Sequence, residues 1–91
     1  MASRASVKVK IVNRLGLHAR PAMVFVDAAV AFPCSVTVKR ADQEVDGKSI
    51  MMMMMLAATQ GTELEVVCEG EQAEEAAAAL KRLVDSGFDE E

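Results

Sequence analysis

The sequence predicts an α+β fold: an open-faced sandwich in the order β-α-β-β-α-β-α, with a four-stranded antiparallel sheet carrying three helices on one face. Three observations predict it. Residues 6–12, 34–39 and 62–69 alternate apolar and polar side chains with the period of a half-buried strand. The segments between and after them are long apolar runs or show helical spacing. The 91 residues hold no internal repeat and no linker-like stretch, so residues 1–91 are expected to form a single small domain.

In residues 6–12, Val7, Val9 and Ile11 share one face and Lys8 and Lys10 the other. A loop containing Gly16 follows, then a helix that starts at His18 or Ala19. Pro21 falls in its first turn, where a missing N–H costs nothing. The helix must end before Pro33, which disfavours helical geometry at Phe32. Residues 34–39 place Cys34, Val36 and Val38 on one face. Residues 40–46 read as a turn and a short strand closed by Asp46-Gly47. Ser49 is suited to cap a short methionine-rich helix over residues 50–58, which Gly61 follows. Leu64, Val66 and Cys68 point inward from the next strand, with Glu63, Glu65 and Glu69 outward. Residues 71–86 space Ala73, Ala76, Ala77, Leu80, Leu83 and Val84 as one helix face. Glu71, Glu74 and Glu75 in the first turn and Lys81-Arg82 near the end suit the helix dipole, and Gly87 is a natural stop.

Composition narrows the function. There are three Phe and no Trp or Tyr, so the core must come from Val, Ala, Leu, Ile and Met. The longest apolar run, residues 50–58, is too short to span a bilayer. The start MASRASVKVK lacks the apolar stretch of a secretory signal. The chain therefore reads as soluble and cytoplasmic, with no membrane insertion. Cys34 and Cys68 read as buried free thiols. Residues 1–48 hold eight Lys or Arg against four Asp or Glu, whereas residues 49–91 hold two against ten. A basic N-terminal half favours an anionic ligand or acidic partner there. The acidic overall balance and the dearth of aromatics argue against nucleic acid.

The single histidine lies in NRLGLHARPA, residues 13–22. A lone loop histidine is most often a solvated residue or a cap. Its neighbours argue for more. The first N–H groups of a helix beginning at Ala19 have no intrahelical acceptors and carry the positive end of the dipole. Arg20 adds a planar, permanently charged fork suited to phosphate. One His and two distant Cys do not make a metal ligand set, and no hydrolytic triad can be argued from spacing. No cofactor is called for. Covalent chemistry at the imidazole, with phosphoryl as its natural adduct, is what these residues allow.

NRLGLHARPA resembles the active-site segment of the HPr family, the histidine-containing phosphocarriers of the bacterial phosphoenolpyruvate-dependent phosphotransferase system. DGKSIMMMMMLAATQGTELEV resembles that family's segment around a regulatory serine. The likeness in element order, length and glycine positions runs from residue 6 to about residue 87. It implies a carrier without turnover of its own. His18 would take a phosphoryl group on Nδ1 from phosphorylated enzyme I and pass it to a IIA component, with Arg20 balancing the phosphoryl charge. Ser49 matches the family's regulatory phosphorylation site, the substrate of a dedicated HPr kinase/phosphorylase in some bacteria. On this position a phosphoserine would gain from the helix dipole, although Ser49 would serve equally as a cap.

The run Met51 to Met55 departs from the commoner family pattern, in which Gly, Ser or Leu interrupts it. Five consecutive methionines cover every face of a helix, so some must be exposed, while two or three should fill the core. Flexible thioethers suit a surface that must fit several partners. The resemblance places the docking surface at Ala19, Arg20, Ile50, Met51 and Met54. Copper binding by the run is disfavoured, because no His or Cys accompanies it. Two other readings stay open. One is a regulatory docking module in which His18 is incidental. The other is the nitrogen-related NPr branch, which the DSGFDEE ending also resembles and which controls metabolism in place of sugar transport. A monomer is expected.

Overall fold

A computed structural model describes residues 3–89; residues 1 and 2, and the last two glutamates of DSGFDEE, lie outside the described residues. The order is β1 (Ser3–Lys10), α1 (Ala19–Val30), β2 (Ser35–Arg40), β3 (Gln43–Asp46), α2 (Ile50–Met55), β4 (Glu63–Gly70) and α3 (Ala73–Asp85), as predicted. A short 3-10 turn, Gly87–Asp89, closes the described chain. The sheet runs β1-β4-β2-β3 with every neighbouring pair antiparallel.

Alternation decides which face of the sheet is covered. Val9, Val36, Val38, Val45, Leu64, Val66 and Cys68 are buried, and they join Phe25, Met53, Leu80 and Val84 of the helices in one apolar core. Both cysteines are buried in it. The alanines of α3 let the helix approach the sheet closely, since Ala73, Ala76 and Ala77 are buried along one stripe.

The other face carries alternating charge. Lys8 lies opposite Glu65 and Lys10 opposite Glu63 across β1 and β4, and Lys39 of β2 lies opposite both Glu65 and Glu44. Opposite charges on directly facing positions support the ladder. Glu65 also accepts the Ser6 hydroxyl at 2.5 Å. That hydrogen bond first, and the charges of Lys39 and Lys8 after it, outweigh desolvation and hold its carboxyl below the ordinary carboxylate range. The lysines of β1 and β2 therefore face acidic residues across the open side of the sheet, and Lys39 forms an ion pair with Glu44 at 3.6 Å.

Several boundaries differ from the sequence reading, each for a local reason. β1 begins at Ser3, because pairing with β4 extends to Ser3 opposite Gly70, and it ends at Lys10. Ile11 leaves the ladder and gives its N–H to Thr62 O at 2.9 Å. Cys34 is buried yet precedes β2. α2 stops at Met55, not at Ala58, with Leu56 as its C-cap and Ala57 turning to a φ of 50°. α3 starts at Ala73, because Gln72 takes the left-handed conformation at a φ of 65°. Of the methionine run only Met53 is buried, so the expectation of two or three in the core is corrected. The neighbours at helical spacing, Ile50 and Leu56, fill the remaining inward positions.

The two helices flanking the histidine are antiparallel. Leu17 beside the start of α1 bonds to Ala58 beyond the end of α2, at 2.8 Å. At the other end, Lys48 Nζ donates to Phe32 O at 2.8 Å, joining the start of α2 to the end of α1. His18 and Ser49 thus stand at opposite ends of the pair, one capping the start of α1 and the other the start of α2.

Candidate functional site

The loop leading to His18 is built to hold one shape. Asn13 Nδ2 donates to Gly16 O at 2.7 Å, and Gly16 N–H returns to Asn13 O at 3.1 Å. Gly16 has a φ of +72°, and a Cβ there would lie 2.6 Å from Ala58 O and 2.9 Å from Thr59 Cα. Only glycine fits this approach. Leu17 is buried in the core, and Gly61 N–H donates to Ile11 O at 2.7 Å. Gln60 Nε2 completes the lacing by donating to Val12 O at 3.1 Å. The loop is pinned to residues 58–62 on one side and sunk into the core on the other.

His18 occupies the N-cap position of α1, with extended backbone at a φ of −84°. Its carbonyl accepts Ala22 N–H at 3.0 Å, the first helical hydrogen bond. Ala19 and Arg20 supply the first-turn N–H groups that have no acceptor within the helix, because Pro21 has none to give. No acidic side chain sits in that first turn. An anion attached to the imidazole would therefore meet two backbone donors and the positive helix end. His18 is half-buried, whereas Ala19 and Arg20 are exposed, so the ring is held yet reachable. Arg14 is a second exposed cation in the loop that leads to His18.

The structure brings His18, Ala19 and Arg20 together and leaves Ser49 apart from them. Ser49 is the N-cap of α2, its Oγ accepting Met52 N–H at 3.2 Å. Ile50 is half-buried against the core, while Met51 is 76% and Met54 45% exposed. Met55 is 65% exposed at the end of α2 nearest the histidine loop, and Met23 is exposed on α1 one turn beyond Ala19. Among the described residues no three His, Cys, Asp or Glu side chains gather as a metal-binding group.

Sequence reasoning missed Arg40. Its Nη1 donates to Leu56 O at 2.5 Å and Ala57 O at 3.2 Å, closing the end of α2 from the sheet. Ala58, two residues past Leu56, provides the carbonyl that takes Leu17 N–H. Arg40 therefore braces the strut on which the histidine loop rests. No local pattern announces this, since a basic residue at a strand end ordinarily points to solvent.

The family model described as PTS HPr component phosphorylation site matches residues 5–86. The chain is 51% identical over 86 residues to the phosphocarrier protein HPr of Pseudomonas aeruginosa, covering 93% of this chain and 96% of that one. It is 39% identical over 84 residues to the phosphocarrier protein NPr of Escherichia coli, covering 91% and 93%. A crystal structure of HPr from Thermoanaerobacter tengcongensis superposes with a TM-score of 0.92 at 41% identity, over 96% of this chain and 98% of the other.

Proposed function

The chain belongs to the HPr family of phosphotransferase-system phosphocarriers, and on that premise we propose that His18 is the phosphoryl acceptor. His18 takes the group on Nδ1 from phosphorylated enzyme I and passes it to a histidine-bearing IIA component. The observation that carries this reading is the placement of a half-buried, reachable imidazole at the N-terminus of α1, whose first turn carries no acidic side chain. Arg20 and the Ala19 and Arg20 N–H groups balance the charge of the bound phosphoryl group. Because Arg20 is exposed, they hold it without burying it, so the acceptor can still reach the phosphorus in line.

The exposed faces of α1 and α2, with Ala19, Arg20, Met51 and Met54, dock both partners, and Ile50 supports them from its half-buried position. Ser49 is the candidate for control by an HPr kinase/phosphorylase. It lies away from His18, so an added phosphate there acts on docking, through charge at the far end of the same surface, and not on the imidazole. The carrier works as a monomer in the cytoplasm.

The test is intact mass after incubation with phosphoenolpyruvate and an active enzyme I. An acid-labile gain of one phosphoryl group is expected in the wild type and none in His18→Ala. A wild type that gains nothing leaves the docking-module reading as the better one. Transfer onward to sugar-specific or nitrogen-related IIA proteins then assigns the branch.

A further inference from the structure

We propose that the methionines exposed around the docking surface are a site of reversible oxidation by hydrogen peroxide, and that their sulfoxides switch off phosphoryl uptake. The inference rests on the carrier reading above. It begins from the division of one run into two environments. Met51, Met52, Met54 and Met55 are 76%, 36%, 45% and 65% exposed, whereas Met53 between them is 0% exposed. Met23, 51% exposed, adds a fifth accessible thioether among the described residues, on α1. These side chains flank both ends of the α1–α2 pair, and the segment after Met55 carries the carbonyl to which the histidine loop is tied. Exposed apolar thioethers here serve no core, since Ile50, Met53 and Leu56 already fill the inward positions of α2.

The chemistry needs only the oxidant. A sulfur lone pair attacks one peroxide oxygen, the S–O bond forms as the O–O bond breaks, and the departing hydroxide takes the remaining proton to leave as water. Sulfur loses two electrons and the peroxide gains them. The product replaces a flexible apolar side chain by a polar, chiral one, which disrupts methionine-rich contact surfaces and is reversed by methionine sulfoxide reductases. The switch leaves the imidazole untouched and acts on partner recognition.

The experiment treats the folded protein with hydrogen peroxide, maps sulfoxides by peptide mass, and follows phosphoryl uptake from phosphorylated enzyme I. Sulfoxide is expected first at Met51, Met55, Met54 and Met23, with Met53 spared. The uptake rate should fall about tenfold or more, given what a buried methionine contributes to a contact. Reduction by methionine sulfoxide reductases should restore it, and the circular dichroism spectrum should stay that of the folded protein throughout. In a variant with leucine at Met23, Met51, Met52, Met54 and Met55, peroxide should leave the rate at that variant's own untreated value. Oxidation of Met53 as fast as Met51, or an undiminished rate in fully oxidised wild type, overturns the proposal while the carrier reading stands. A rate lost only together with the folded spectrum also overturns it. If untreated protein takes up no phosphoryl group, the carrier reading falls, and this switch with it.

Discussion

Gly16 and Cys68 show how single positions set limits on this fold. Gly16 combines a left-handed φ with a backbone approach that a methyl group would violate at 2.6 Å from Ala58 O. Gly16→Ala should cost about 2 kcal/mol or more, read by urea denaturation, from backbone strain and displacement of the loop. It should also slow phosphoryl uptake at temperatures where the variant remains folded, because His18 follows two residues later. Cys68 makes a second prediction through pH. Burial first, and the neighbouring Cys34 thiol after it, push the Cys68 thiol up to about 11 from 9.0. Between those values the folded chain keeps a proton that the unfolded chain has released. Stability must therefore fall as pH rises through that window, at up to about 1.4 kcal/mol per pH unit. Urea denaturation from pH 8 upward should show this decline in the wild type, and a shallower one in Cys68→Ala.

At the scale of elements, the support for the site comes from outside the segment that bears it. The Arg40 guanidinium closes the end of α2, and the chain just beyond holds Leu17 and Gly16. Arg40→Ala should lower stability by about 2 kcal/mol, the order of a hydrogen bond from a charged donor. Phosphoryl uptake by the folded fraction should fall as well, measured against total folded protein by circular dichroism, since the strut under the loop is freed. This brace marks where sequence reading stops. The strands were legible because Val9, Val36, Leu64 and Val66 alternate with charged or polar neighbours, and that period has one structural meaning. The start of α1 was legible from Pro21 and the glycine before His18. The end of α2 was not, because Leu56, Ala57 and Ala58 continue an apolar run and only tertiary contacts stop the helix. Phe88, buried in a 3-10 turn beyond Gly87, was equally hidden: one apolar residue in an acidic tail has no period to betray it. His18 and Arg20 could be picked out by helix-end chemistry, but the glycine contact and the Arg40 brace required the fold.

At the scale of the whole molecule, the charge asymmetry along the chain acquires a different meaning once folded. Lys8, Lys10 and Lys39 face Glu65, Glu63 and Glu44 across the open sheet face, so on that face each positive charge has a negative one opposite it. Lys48 is engaged at the end of α1, and Arg40 at the end of α2. Among the described cations of the N-terminal half, Arg14 and Arg20 remain exposed beside the histidine, while Glu71, Glu74 and Glu75 lie exposed at the start of α3. The molecule thus presents exposed cations close in sequence to His18, the proposed acceptor, on a net acidic body of charge −4. Such cations orient an acidic partner during encounter, and their reach shrinks with the Debye length, from about 30 Å at 0.01 M ionic strength to about 8 Å at 0.15 M. Single-turnover uptake from phosphorylated enzyme I at limiting concentrations should therefore slow as salt is raised over that range. Arg14→Gln should flatten the dependence by lowering the low-salt rate most, whereas Lys8→Gln, whose charge is already matched by Glu65, should leave it close to that of the wild type. Equal flattening by both substitutions would mean that the partner responds to net charge and not to these cations.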